Sequence, residues 1–192
     1  QVDGLTHVVF VRSTIAHANL ESIDTADAET MPGVLGVYTA QTLPMDPIQG
    51  FVMLPPVFNR PPLATDRVRF VGDIVAAVVA ETRAQAVDAA EQVIVEYDPL
   101  PVLIDPESAM ASGAPLLFEE HGSNLAIAFD SGDDPTIMDE ADVVVSCRFV
   151  NQRLAAVPME PNAIVVELDG DGLLIHVPTQ APHSLAPGIA AV

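Results

Sequence analysis

Two short strings late in the chain place polar groups where a reaction could use them. Thr179-Gln180-Ala181-Pro182-His183 follows an apolar run, so His183 stands among polar residues near a strand end, where functional groups collect. Pro158-Met159-Glu160-Pro161 fixes the backbone on both sides of a carboxylate. Glu160 held this way could act as a ligand or a base, or as a structural carboxylate bonding nearby backbone N–H groups, which is the commoner use.

The remaining candidates carry less. None of the five histidines pairs with another at helical i, i+4 spacing, and no His-x-Glu or His-Glu-x-x-His string occurs, so a metal held by the protein alone is not expected. His17 follows a strand and fits a turn hydrogen bond better than catalysis. Ser13 and Ser184 lack the glycine-flanked elbow that presents a nucleophile. The eleven glycines are dispersed, and neither phosphate-binding glycine string is present. Cys147, the single cysteine, can form no internal disulfide. It lies in the β-rich run Val143 to Val150 and is expected to be a buried structural thiol.

The elements that must position these residues alternate between short β-branched runs and short helical patterns. Strands are expected at Leu5 to Arg12, Asn19 to Ile23, Val34 to Thr39, Arg67 to Val71 and Val93 to Tyr97. Ile74 to Ala80 is apolar almost throughout and should be the buried centre of a sheet. Thr25 should cap a short helix up to Thr30, which Pro32-Gly33 ends. Thr82 should cap a second helix to about Gln92, with Ala86, Val87, Ala90 and Val93 as its buried stripe. Thr42 to Pro62 holds six prolines and is a long loop, a kind that usually has a job or touches something outside its domain. Later, Ala141 to Val150 and Ala163 to Leu168 have the pattern of strands. Asp169-Gly170-Asp171-Gly172 is a hairpin turn into Leu173 to Val177, and Ser184 to Val192 opens a helix.

Composition narrows the classes. The chain has 192 residues, 49% of them hydrophobic, enough for one or two packed cores. Its 27 acids face 7 bases, all Arg, giving a net charge of −20 that disfavours nucleic acid and anionic membranes as partners. No apolar run approaches the ~20 residues of a spanning helix, and the first residues lack a signal peptide's basic and apolar regions, so a soluble cytoplasmic protein is expected, a start at Gln1 also allowing a trimmed terminus.

The strings themselves say more than their mechanics. Val11-Arg12-Ser13-Thr14-Ile15-Ala16-His17-Ala18, Ile23-Asp24-Thr25 and Met31-Pro32-Gly33-Val34 together resemble the opening of the large subunit of molybdenum hydroxylases, the xanthine dehydrogenase, aldehyde oxidase and aerobic carbon monoxide dehydrogenase family. Phe70-Val71-Gly72-Asp73-Ile74-Val75-Ala76 through Ala80-Glu81-Thr82-Arg83 is similar to the next family string. Val95-Glu96-Tyr97-Asp98-Pro99-Leu100-Pro101 and the two late strings follow in the same order.

The resemblance implies an α+β chain: an α/β hammerhead domain over 1–105, a connector over 106–135, and the first antiparallel strands of the molybdenum-cofactor-binding domain over 136–192. It implies a molybdopterin cofactor, as the cytosine dinucleotide, in the full-length enzyme, with Gln180 donating its amide N–H towards the molybdenum centre. His183 and Glu160 are implied neighbours of the cofactor, although Asn162 replaces the usual basic residue after the Met-Glu-Pro string. Implied partners are the rest of the large subunit, iron–sulfur and FAD subunits, and a small-molecule substrate, with carbon monoxide or an aldehyde favoured over a purine.

The family's later Gly-Gly-Phe-Gly string, substrate-facing loop and general-base Glu have no counterpart here. The chain is therefore expected to be an amino-terminal piece that alone binds no cofactor, hydroxylates nothing and self-associates. The rival expectation is a standalone hammerhead scaffold without cofactor.

Overall fold

A computed structural model describes residues 3–50, 52–129, 132, 134 and 136–190. It divides into two compact units, Gln1–Ala128 and Phe129–Val192.

The first unit is built on two three-stranded antiparallel sheets. In one, β5 (Ile74–Ala80) lies between β1 (His7–Arg12) and β3 (Val34–Thr39). The apolar run expected at the centre of a sheet is there. Ala76 and Val78 pack with Ala28, Val37, Ala89 and Val93, while Val75 joins Ala18, Ala64 and Val68 in a second cluster. The other sheet has β2 (Ala18–Asp24) between β4 (Arg67–Val68) and β6 (Ile94–Pro99).

Helix α1 (Ala26–Glu29) is capped differently from expectation: Asp24 accepts the Ala26 N–H at 3.0 Å, and the Thr25 hydroxyl instead donates to Glu29. In α2 (Arg83–Ala90) the expected cap forms, with the Thr82 hydroxyl oxygen accepting from the Gln85 N–H. Its buried positions are Ala86 and Ala89, three apart, with Val87 only half-buried. This helix connects β5 to β6, so the strand-helix-strand unit crosses between two sheets instead of joining neighbours in one.

Strand β4 ends at Val68, three residues before its expected end. The Asp73 carboxylate captures the Arg69 N–H at 3.2 Å, and Gly72 turns the chain at φ +95°.

Residues after β6 remain part of the first unit. Asp105 caps the short α3 (Pro106–Ala109), accepting from the Ser108 N–H and hydroxyl, each at 2.7 Å. These bonds hold the Asp105 carboxyl below its ordinary pKa of 3.8, the hydroxyl contributing most. Asn124 ties the segment to itself, accepting from the Leu117 N–H and donating to the carbonyls of Ala109 and Pro115.

In the second unit, β7 (Val165–Asp169) and β8 (Gly172–His176) form the expected hairpin. Gly170 has φ +60° and Asp171 is not in the left-handed region, the pattern of a type II′ turn. The expected strand Ala141 to Val150 is absent: alternation supplies propensity, but a strand needs a paired ladder, and none of the described residues pairs with it. Consequently Cys147 is exposed rather than buried. Helix α4 (Pro182–Ala190) begins two residues earlier than expected, with Pro182 at its first position.

Candidate functional site

Gln180 and His183 are brought to the two sides of the start of α4. The Thr179 hydroxyl accepts the Ala181 N–H at 3.1 Å, and the Ala181 carbonyl accepts from Ser184 and Leu185, which turns the chain into the helix directly after Gln180. His183 lies in the first turn. Pro187, inside α4, has no N–H to offer the His183 carbonyl four residues back, which leaves that oxygen without its helical partner.

All three of Gln180, His183 and Glu160 are exposed, and none makes a hydrogen bond or ion pair among the described residues. Glu160 sits in a bend and does not take up the backbone N–H groups that its position between prolines suggested. No hydrogen bond or ion pair among the described residues joins it to Gln180 or His183.

The described residues contain no group of three His, Cys, Asp or Glu able to hold a metal ion. The donors that are present, a neutral amide and an imidazole with free hydrogen-bonding capacity, suit contacts to the polar edge of a cofactor. They do not enclose one. Two crevices of about 80 and 60 Å³ lie in the first unit around Ala40 and Thr65, well below the several hundred Å³ of a ligand pocket.

The other family-like strings meet one another. The Ser13 N–H donates to Asp73 O and the Gly72 N–H to Ser13 O, both at 2.8 Å, while Arg12 donates to Gly72 O at 2.9 Å. The His17 Nδ1 bonds Pro101 O at 2.9 Å, and the Leu100 N–H bonds His17 O. His17 thus has the structural use expected of it, but between distant segments and not within its turn. These strings specify the hammerhead's register. Asp73 and Asn124, each with several backbone partners, escaped sequence reasoning because no short spacing marks a long-range hydrogen bond.

Two three-stranded antiparallel sheets joined by α2, followed by a unit that holds a β-hairpin and α4 among its described residues, make up the fold. The chain belongs to the aldehyde oxidase and xanthine dehydrogenase family: the profile of that family's a/b hammerhead domain matches residues 1–101, and that of the molybdopterin cofactor-binding domain matches residues 117–192. Among individual proteins, it is 41% identical over 180 residues to the 6-hydroxypseudooxynicotine dehydrogenase complex subunit gamma of Paenarthrobacter nicotinovorans, covering 88% of this chain and 22% of that one. It is 35% identical to the carbon monoxide dehydrogenase large chain of Afipia carboxidovorans, covering 100% and 26%. Quinoline 2-oxidoreductase from Pseudomonas putida 86 superposes with a TM-score of 0.82 at 32% identity, covering 100% and 25%. The chain therefore spans about a quarter of the length of these relatives. No helix among the described residues is long and apolar enough to cross a membrane.

Proposed function

We propose that this chain supplies the hammerhead and the first cofactor-facing residues of the large subunit of a cytoplasmic molybdopterin-dependent hydroxylase. The observation that carries this is the order of the two matched profiles, hammerhead then cofactor-binding domain, along one chain. The reaction is hydroxylation of a small substrate with water as the oxygen source, releasing two electrons and two protons.

When bound, the molybdenum cofactor, as its cytosine dinucleotide, supplies the two-electron chemistry. Gln180 supplies an uncharged amide that donates and accepts without adding charge to the site. His183 and Glu160 supply polar contacts to the cofactor, and none of the three is the general base. Electrons leave through partner subunits carrying iron–sulfur and FAD groups. The domain division proposed is 1–105, 106–135 and 136–192. By its strings the substrate is carbon monoxide or an aldehyde; the relative named for quinoline favours a nitrogen heterocycle as the second reading.

The test is the large subunit carrying this sequence, purified and offered carbon monoxide, an aldehyde and quinoline in ¹⁸O-labelled water. Stoichiometric molybdenum and ¹⁸O in the product of one substrate support the assignment. A molybdenum-free protein, or product oxygen drawn from O₂, refutes it.

A further inference from the structure

The long proline-rich loop and the segment that opens the cofactor-domain match are fastened together within the first unit. The Phe58 ring, at the end of a 3₁₀ turn over Pro56–Phe58, meets Phe118 edge-on with centroids 4.8 Å apart and His121 at 4.7 Å. Arg69 stacks over the other partner, its guanidinium 4.7 Å from the Phe118 centroid, and its Nε–H donates to Leu117 O at 3.4 Å. Arg67, two residues earlier and so on the same side of an extended backbone, reaches Glu119 at 3.7 Å while its Nε–H donates to Asn19 on β2. His121 itself bonds Leu125 O at 3.0 Å.

The loop's other end is equally held. Ile48 and Arg60 exchange two backbone hydrogen bonds of 2.7 and 3.0 Å, which closes the loop at its neck. Arg60 then lies over the Phe70 ring at 4.6 Å and 3.5 Å from the Asp73 carboxylate.

We infer that residues 105–125 form a strap whose closure sets the conformation of residues 55–60 in the proline-rich loop, with Phe118 between Phe58 and Arg69 as the clasp. The physics favours a coupled element. Phe58 and Phe118 are only half-buried, and each ring covers the other, so opening the strap uncovers Phe58 and removes its aromatic partners together. Asn124 ties the strap to itself, its three bonds joining Ala109, Pro115 and Leu117 to one side chain. The hammerhead match ends at residue 101 and the cofactor-domain match begins at 117, yet residues 117–121 are fixed to the hammerhead's own loop. The strap thus links events at the first residues of the cofactor domain to a loop on the hammerhead. This inference rests on the first unit alone and stands whether or not the proposed activity is found.

Hydrogen exchange by mass spectrometry on the intact 192-residue chain tests it. Phe118→Ala should raise exchange tenfold or more in 105–125 and also in 55–60, with the amides of β1 and β5 unchanged. Asn124→Ala, which touches neither Phe58 nor Phe118, should raise both segments in the same way and serves if Phe118→Ala fails to fold. Faster exchange in 105–125 with 55–60 at its original rate, in either folded variant, overturns the coupling.

Discussion

His17 and Pro101 lie 84 residues apart in sequence, and the imidazole Nδ1 of one is 2.9 Å from the carbonyl oxygen of the other. A carbonyl only accepts, so Nδ1 carries the proton. Nε2, the other ring nitrogen, is buried with no hydrogen-bond partner among the described residues. Together with the Leu100 N–H bond to His17 O, the Nδ1 bond joins the residue before β2 to the chain just beyond β6. His17→Ala should destabilise the first unit by about 1–3 kcal/mol, since it orphans an acceptor and opens a void. Urea unfolding followed by circular dichroism measures it, and an unchanged midpoint would remove His17 from the hammerhead's framework.

Gly33 has φ +79° and the Gln85 side chain packs where its Cβ would stand. Gly33→Ala should therefore cost about 1–3 kcal/mol, combining backbone strain with a steric clash. Gly33→Ala with Gln85→Ala should recover the steric part and leave the strain. Thermal melts of the two variants separate these contributions, and equal loss in both would show that Gln85 gives way freely.

Asp105 titrates below its ordinary value of 3.8 because the Ser108 hydroxyl and N–H stabilise its carboxylate. A depressed folded-state pKa means that its contribution to α3 is present above the unfolded value and lost as pH falls through the lower, folded one. Below pH 3.8, α3 should fray while the β5 ladder persists. Carboxyl carbon shifts in an NMR titration report it directly. A midpoint at or above 3.8, or no upward movement in Ser108→Ala, would contradict the cap.

Most of the first unit was legible because its signals are local. Ile74 to Ala80 carries its burial in its composition, and Thr82 marks a helix start by its own hydroxyl. The strap was not legible: Phe58, Arg69 and Phe118 are far apart in sequence, and no period connects them. Ala141 to Val150 failed in the opposite sense. Its alternation is strong, but strand formation depends on a neighbour that the alternation does not specify. The candidate site was legible only as strings; the position of Gln180 and His183 at the start of α4 follows from Thr179 and Pro182, while Glu160 gained no partner from its flanking prolines.

Apolar side chains in the second unit stand open, with Phe149 88% exposed, Leu154 75% and Met159 102%. Apolar side chains left open to solvent are available to pack against a second copy. Self-association through residues after about Asp139 is expected, opposed by the net charge of −20 and strengthened by salt. Light scattering of the 192-residue chain at rising concentration should show mass growing above 20.2 kDa. A strict monomer at high concentration and high salt contradicts it.

Turnover per bound molybdenum decides whether Gln180 serves the molybdenum site of a hydroxylase as proposed. Gln180→Ala is made in the large subunit carrying this sequence, assembled with its partners, and metal content is measured on the same sample. A hydrogen bond that strengthens in the transition state predicts a loss on the order of tenfold or more, each ~1.4 kcal/mol of barrier being a factor of ten. Normalising to metal cancels any change in cofactor occupancy. Wild-type turnover per molybdenum in the variant would leave Gln180 a structural residue at the start of α4 and contradict the assignment.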